Sequence, residues 1–213
     1  LFEGIKVFTQ TAGFVSVFPQ RRCSSVNLSA TSDEDLFALV AKGDEAAFAI
    51  LVDRHLPKVL ALATKMIGSH AEADDVAQEA LLRVWTRSSL WRPGSAKFGT
   101  WLHRVTMNLC IDRLRRRTFQ PIEDAEAVVD YGSDPEGDAE AAELKRTVQA
   151  ALDALPTRQK AAVVLCHYEG FTGKEAAAIL GVSVLAIQSL LVRARTTLRE
   201  TLAFYAPEGE EPS

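Results

Sequence analysis

The stretch TGKEAAAILGVSVLAIQSLLVRARTTLR, from Thr172 to Arg199, holds two apolar-periodic segments separated by Gly181-Val182-Ser183. Thr172 with Glu175 three residues on is a capping-box signature for the first segment, and Ser183 stands where it would cap the second. In the second segment Ile187, Leu191, Ala194 and Leu198 recur at steps of four, three and four, which is one face of an α-helix. Two amphipathic helices joined by a short glycine-containing turn have the helix-turn-helix outline, in which the second helix enters the DNA major groove. Arg193, Arg195 and Arg199 lie off the apolar stripe, within reach of phosphates. Gln188 and Ser189, near the helix start, suit base edges, and a glutamine can bond adenine at two points. An ordinary αα-hairpin with a solvated arginine face has the same outline, so both readings stand on this stretch alone.

Upstream the helical pattern continues. A helix is expected from Asp33 to Lys42, ended by Gly43, and Asp44 then caps a longer apolar helix through Phe48, Leu51, Leu62 and Met66 to Gly68. Pro57 should kink or split it. Ser69 and Glu72 form a capping box for a helix over 70–87, with Val76, Ala80 and Val84 on one face. After a Pro93-Gly94 loop, a helix from Phe98 to Arg117 buries Leu102, Val105, Leu109 and Leu114. Acids, proline and glycine then dominate to about Asp138, which reads as a solvated linker. Helix resumes over Ala139–Leu155, stops at Pro156, and runs again over Thr157–Tyr168. The fold class is all-α.

The net charge of −4 conceals a pattern along the chain. Residues 33–117 carry +2, residues 118–143 carry −9 without a single base, and residues 144–206 carry +4. Two neutral-to-basic domains are thus divided by an acidic strip. Three well-separated cysteines, Cys23, Cys110 and Cys166, with no CxxC pair argue against a disulfide framework or zinc site and fit a reducing cytoplasm. Helical cysteines without a basic cluster beside them are expected to be inert. His55, His70 and His103 have no ligand spacing, so no metal and no cofactor is expected. No apolar run approaches the roughly 20 residues that cross a bilayer. A Gly-rich phosphate loop, a catalytic-triad pattern and a metal cluster are all missing, which speaks against an enzyme. Residues 1–32 read as an N-terminal extension, flexible or a mis-set start, and 206–213 as an acidic tail.

Two further features bear on function. Arg113-Leu-Arg-Arg-Arg117 follows an aromatic cluster of Trp85, Trp91, Phe98 and Trp101. Basic helix ends often serve only the helix dipole, yet aromatics beside a basic helix are what unstacked single-stranded bases need. Trp85 and Trp101 are expected in the core, and Trp91, in a Pro/Gly loop, is the candidate for base contact. Asp74-Asp75-Val-Ala-Gln78-Glu79 places acids and an amide on the open face of an apolar helix, either for solubility or as a docking face for a basic partner.

Taken together these residues resemble the extracytoplasmic-function (ECF) sigma factors, a two-domain class of bacterial sigma factors, over about residues 33–205. Gly43–Phe48 resembles the family's region 2.1, Asp74–Trp85 region 2.2, and Phe98–Asn108 with Asp112–Arg117 regions 2.3 and 2.4. Leu155-Pro156, Tyr168–Ala177, Leu180–Ser183 and Arg193-Ala-Arg195 resemble region 4. The resemblance implies two small helical domains, a region 2 bundle over 33–117 and a region 4 helix-turn-helix over 139–205, joined by an acidic linker at 118–138.

It also implies roles. Asp75, Gln78 and Glu79 fall where the family binds the β′ clamp helices of core RNA polymerase. Trp91 and Asn108 fall at the pocket for a flipped base of the −10 element, with Arg113, Arg115, Arg116 and Arg117 along the adjacent backbone. Ser183, Leu185, Gln188, Ser189, Arg193 and Arg195 fall on the helix that reads the −35 element. The linker would thread polymerase channels built for nucleic acid, and the β subunit, promoter DNA and an anti-sigma factor, possibly membrane-anchored, are the implied partners in a stress-response regulon. The chain departs from the family where Gln188 and Leu190 replace the usual Lys and Arg, and Leu185-Ala186 the usual Gly-Thr. Fewer charges there imply weak, less salt-dependent binding by region 4 alone, with Leu185 and Leu190 available to thymine methyls or an inhibitor. The rival reading, a helix-turn-helix regulator binding an operator without polymerase, explains 139–205 and leaves the first half unexplained.

Overall fold

A computed structural model describes residues 30–88, 97–119 and 139–203, and among these residues the regular elements are helical throughout. They are α1 (Asp33–Val40), α2 (Glu45–Ile67), α3 (His70–Arg87), α4 (Phe98–Phe119), α5 (Ala139–Asp153), α6 (Thr157–Val163), α7 (Gly173–Leu180) and α8 (Val184–Ala203), with a π-helical turn, Val164–Tyr168, continuing α6. Most of the N-terminal extension, Trp91, the linker from residue 120 and the acidic tail lie outside the described residues.

Local chemistry starts and stops most helices as the sequence implies. Ser32 Oγ accepts from the amide of Asp35 at 3.2 Å, and Asp44 Oδ1 from that of Ala47 at 2.9 Å. Gly68 ends α2 at φ +77°, and a Cβ there would meet Asp153 Oδ2 at 3.2 Å, so glycine serves both the left-handed turn and a close approach of α5. The Ser69 capping box does not form: its hydroxyl makes no cap bond, and Glu72 instead receives Arg113 and Arg117 from α4. Two guanidinium partners outcompete one backbone amide for that carboxylate.

Pro57 does not split α2, which runs unbroken through it. Pro57 and Asp53, whose carbonyl loses its amide partner, are both exposed, so water can satisfy the freed oxygen. α4 includes Thr118 and Phe119, two residues beyond the expected linker start; no proline occurs before Pro121 to stop it earlier.

α1 to α4 form a bundle around Leu36, Phe37, Leu51, Leu62, Met66, Val84, Phe98, Leu102 and Met107, all fully buried. Trp101 packs on Phe37 (5.2 Å between centroids) and Trp85 on Phe48 (5.2 Å), so both tryptophans belong to the packing, as expected. α1 locks the bundle through its carboxylates. Asp33 takes Arg54 Nη1 and His55 Nε2, each at 2.7 Å, while Glu34 Oε1 accepts from the amide of Phe98 at 3.1 Å and satisfies the first turn of α4. Burial pushes the Asp33 carboxyl up, but its bonds to Arg54 and His55 outweigh that and hold it below its ordinary value.

α6, α7 and α8 form the second unit around Leu165, Ile179, Ile187 and Ala194, with α5 laid against α8 through Leu152 and Leu155. The two units are docked. α4 packs on both α6 and α7, and one apolar core runs through both. Gln149 Nε2 donates to the Lys65 carbonyl at 3.2 Å, Lys65 Nζ stands 5.1 Å from the Tyr168 ring centroid, and His103 faces Glu169. Cys110 is wholly buried in α4, where burial pushes its thiol up to about 12; burial also raises the half-buried Cys166. Neither is a ready thiolate, in keeping with inert cysteines.

Candidate nucleic-acid and partner interfaces

α3 has two faces set by helical phase. Ala73, Val76, Ala77, Ala80 and Val84 are buried against α2 and α4, which leaves Asp75, Gln78, Glu79 and Leu82 together on the open side. The three expected docking residues therefore share one surface. Leu82, 49% exposed at its centre, was missed by sequence reasoning. The signal was available: an apolar residue seven positions after Asp75, off the buried stripe. Arg83 pairs with Glu79 at 2.6 Å along the helix.

The basic end of α4 is divided by what its arginines touch. Arg113 donates from Nε to Glu72 at 2.9 Å and from Nη2 to Asp75 at 2.8 Å. Arg117 also reaches Glu72, and its Nη1 donates to the Ile67 carbonyl at 3.3 Å. Burial raises the Glu72 carboxyl, yet the bonds from Arg117 and Arg113 bring it below the usual range; Arg113 is held protonated above its ordinary value, chiefly by Glu72. Arg115 and Arg116 point to solvent, Arg115 with only a loose 3.6 Å pairing to Asp112 one turn back. Asn108 is exposed on the same helix, seven and eight residues before them, about 10–12 Å along its axis. Asn108, Arg115 and Arg116 thus remain open to a ligand, whereas Arg113 and Arg117 tie α4 to α3. Trp91 lies outside the described residues.

α7 and α8 meet at 101°, within the helix-turn-helix range. The Thr172–Glu175 capping box is complete, Gly181 turns the chain at φ +66°, and Ser183 Oγ accepts from the amide of Ala186 at 3.1 Å. Ile187 and Ala194 are fully buried with Leu191 and Leu198 beside them, which is the expected stripe. The six residues expected to meet DNA, Ser183, Leu185, Gln188, Ser189, Arg193 and Arg195, are all exposed, with Arg195 on the flank of α8 beside the buried stripe. Leu185 is 76% exposed, and Val192, not anticipated, is 60% exposed one turn beyond Gln188. Leu190 is half-buried against the core, so it is not available to thymine methyls as the sequence suggested. Behind α8, Val163, His167, Leu191, Leu198 and Leu202 line a shallow apolar groove edged by Arg195 and Arg199.

Among the described residues no group of three His, Cys, Asp or Glu side chains could hold a metal ion, and no single helix is long and apolar enough to cross a membrane. The geometry offers faces for binding: an acidic-apolar patch on α3, a polar-basic strip on α4, and a helix-turn-helix.

Comparison with known proteins gives these faces a context. The chain matches the family models described as Sigma-70 region 2 over residues 51–120 and Sigma-70, region 4 over residues 145–198. It is 38% identical over 175 residues to the ECF RNA polymerase sigma factor SigE of Mycolicibacterium smegmatis, covering 79% of this chain and 67% of that protein. It is 33% identical over 174 residues to the ECF RNA polymerase sigma factor SigW of Bacillus subtilis, covering 76% and 92%. Among solved structures it resembles CnrH, determined in complex with the cytosolic domain of CnrY, at 30% identity and a TM-score of 0.61 over 82% of this chain and 99% of CnrH. It also resembles the sigma factor RpoE of Bartonella quintana, determined with the anti-sigma factor NepR, at 27% identity and a TM-score of 0.55 over 73% and 96%.

Proposed function

The chain belongs to the ECF RNA polymerase sigma factors, and from that premise we propose how its surfaces divide the work of promoter recognition. As a sigma factor it binds core RNA polymerase and directs transcription initiation, and it is restrained by an anti-sigma factor. Both halves of the chain match sigma regions, so the reading as an operator-binding regulator that works without polymerase is not favoured.

In our reading residues 33–117 dock on core polymerase and read the −10 element, and residues 139–205 read the −35 element. Asp75, Gln78, Glu79 and Leu82 meet the β′ clamp helices, the acids steering toward a basic partner and Leu82 supplying the dry centre that interfaces need. Trp91 and Asn108 take a flipped −10 base, stacking and amide bonding offsetting an unstacking cost of a few kcal/mol. Arg115 and Arg116 follow the phosphate backbone. Arg113 and Arg117 hold the docking helix to the DNA-reading helix, which departs from their expected place on the backbone. On α8, Gln188 and Ser189 meet base edges, Leu185 and Val192 meet apolar base surface, and Arg193 and Arg195 meet phosphates. The acidic linker threads a polymerase channel in place of nucleic acid, with the β subunit as further partner. The work is binding rather than catalysis, it takes place in the cytoplasm, and the regulon is one of stress response.

The observation that carries this division is the coexistence, on one chain matching both regions, of the α3 patch and the outward face of α8. Run-off transcription with core polymerase lacking any sigma tests it. Alanine at Asp75, Gln78 and Glu79 together is expected to abolish transcription by loss of core binding; unchanged core affinity would remove the docking assignment.

A further inference from the structure

His103 and Glu169 face each other where α4 meets the chain after the π-helical turn, Nε2 to Oε2 at 3.5 Å, with side chains only 14% and 16% exposed. The other ring nitrogen, Nδ1, lies 2.7 Å from the carbonyl oxygen of Gly99 one turn back. A carbonyl oxygen only accepts, so Nδ1 must carry a hydrogen. In the neutral ring that leaves a lone pair on Nε2, aimed at a carboxylate that also only accepts. Only the imidazolium donates on both sides. Phe171 closes a further side of the ring, edge-on at 4.8 Å between centroids and 77°.

We propose that His103 and Glu169 form a proton-operated latch between the two domains: the imidazolium holds region 4 docked on region 2, and its neutralisation loosens that contact. The latch sits among few other charges. Lys65 and Lys58 of α2 act on the same carboxylate, Lys65 also lies over Tyr168, and Arg104, next to His103, is directed toward Gly181 of the α7–α8 turn. The contact with His103 is the main influence holding Glu169 below the usual carboxylate range, against burial and helped by both lysines. Glu169 is therefore held in its ionised form.

The signs follow. The contribution of Glu169 is present above its ordinary value and is lost as pH falls through the lowered one. That of His103 belongs to the imidazolium, which alone donates to both partners, and is lost when the ring gives up its proton. Docking is strongest where Glu169 is ionised and His103 carries both ring protons. The latch rests on the packing alone; its consequence, fewer molecules open for promoter binding in weak acid, rests on the sigma-factor reading.

Small-angle X-ray scattering on the full chain at about pH 6 and about pH 8, a span over which histidine side chains in general change charge, reads the separation of the domains. The wild type is expected to expand at the higher pH, its docked-to-open ratio falling about three- to tenfold. His103→Gln and Glu169→Gln, each shown folded by circular dichroism, are expected to lose that step. A wild type with no step, or a step that survives in both variants, overturns the latch. Nitrogen-15 shifts of the His103 ring give a second measurement that needs no variant. Near pH 8 they are expected to report hydrogen on Nδ1, and hydrogen on Nε2 instead would overturn the geometry. Run-off transcription by the wild type at both pH values keeps the family reading intact whichever way the scattering falls.

Discussion

Leu82 separates a docking face from a merely soluble one, because an exposed leucine among Asp75, Gln78 and Glu79 adds nothing to solubility. Covering the exposed part of an apolar side chain by a partner is worth about 1–2 kcal/mol. Leu82→Ala is expected to weaken core polymerase binding about five- to thirtyfold while costing the free chain under about 1 kcal/mol, since the side chain is half exposed. Titration of labelled chain with core measures the first and urea unfolding the second; wild-type core affinity would remove Leu82 from the interface. On α4, Arg115→Ala and Arg116→Ala are each expected to lower the salt slope of promoter binding by about one, and Arg113→Ala by less, because Arg113 is already spent on Glu72 and Asp75. Asp33 marks the acid limit of the fold. Its carboxyl returns to 3.8 on unfolding and lies lower when folded, so its contribution is intact above that value and is lost as pH falls through the folded one. Asp33→Asn should flatten the acid limb of a stability profile taken by urea unfolding; an unchanged limb would show that the Arg54–His55 pairing carries no linkage. At this scale the sequence was a partial guide. That Asp75, Gln78 and Glu79 share an open face was readable from helical phase, their docking role came only from the family resemblance, and the roles of Ser69, Glu72, Arg113 and Arg117 were readable from neither. Their partners stand about 40 residues away along the chain, and a local pattern such as a capping box carries no information about them.

Among the elements, the α7–α8 pair was legible down to its caps because its signals are local: Thr172 with Glu175, Gly181 at positive φ, and Ser183 each act within four residues. The long-range features were not. The π-helical turn at Val164–Tyr168 leaves no composition signature, yet it delivers Glu169 to α4, its amide bonding the Val164 carbonyl five residues back. Pro57 was read as kinking or splitting α2, and the split does not occur because the proline and the Asp53 carbonyl it frees both face solvent while the rest of the helix is held by packing. The outward face of α8 makes a prediction about DNA. With Gln188 in place of a cation and Leu185 and Val192 beside it, this helix is expected to favour adenine at the Gln188 contact and thymine methyls against the apolar pair. Replacing thymine by uracil across the −35 element deletes only methyl groups and should cut promoter-complex affinity for the wild type several-fold, each lost apolar contact costing about 0.8 kcal/mol per methyl-sized group. The doubly substituted Leu185→Ala, Val192→Ala chain should not distinguish the two DNAs. Equal binding of both by the wild type would sink the methyl reading.

The whole molecule presents a contradiction that its function must resolve. α4 and α7 are in contact, yet on the proposed division the −10 and −35 elements that their two units read are separated by about 25 base pairs, about 85 Å along the duplex at about 3.4 Å per pair. On that division the docked arrangement cannot engage both, so the two units are expected to part when the promoter is bound. Nothing in the sequence announced this docking: it joins α4 to α6 and α7 through apolar residues of the ordinary core type. Only the acidic strip hinted that the halves could separate. The residues between Phe119 and Ala139 number nineteen and reach at most about 65 Å when extended, with the helices themselves supplying the remainder. Reach is therefore close to need, and shortening the strip should be felt in one function only. Deleting residues 124–133, about 33 Å of extended reach, is expected to leave core polymerase affinity within about twofold, because docking resides on α3, while run-off from a promoter needing both elements falls at least tenfold. Restoring the length with ten residues of Gly and Ser separates reach from charge. Recovery would assign the strip to spanning, and continued loss would assign it to the negative charge that takes the place of nucleic acid in the polymerase channel. Full transcription by the deleted chain would instead mean that the units need not separate as far as the duplex demands.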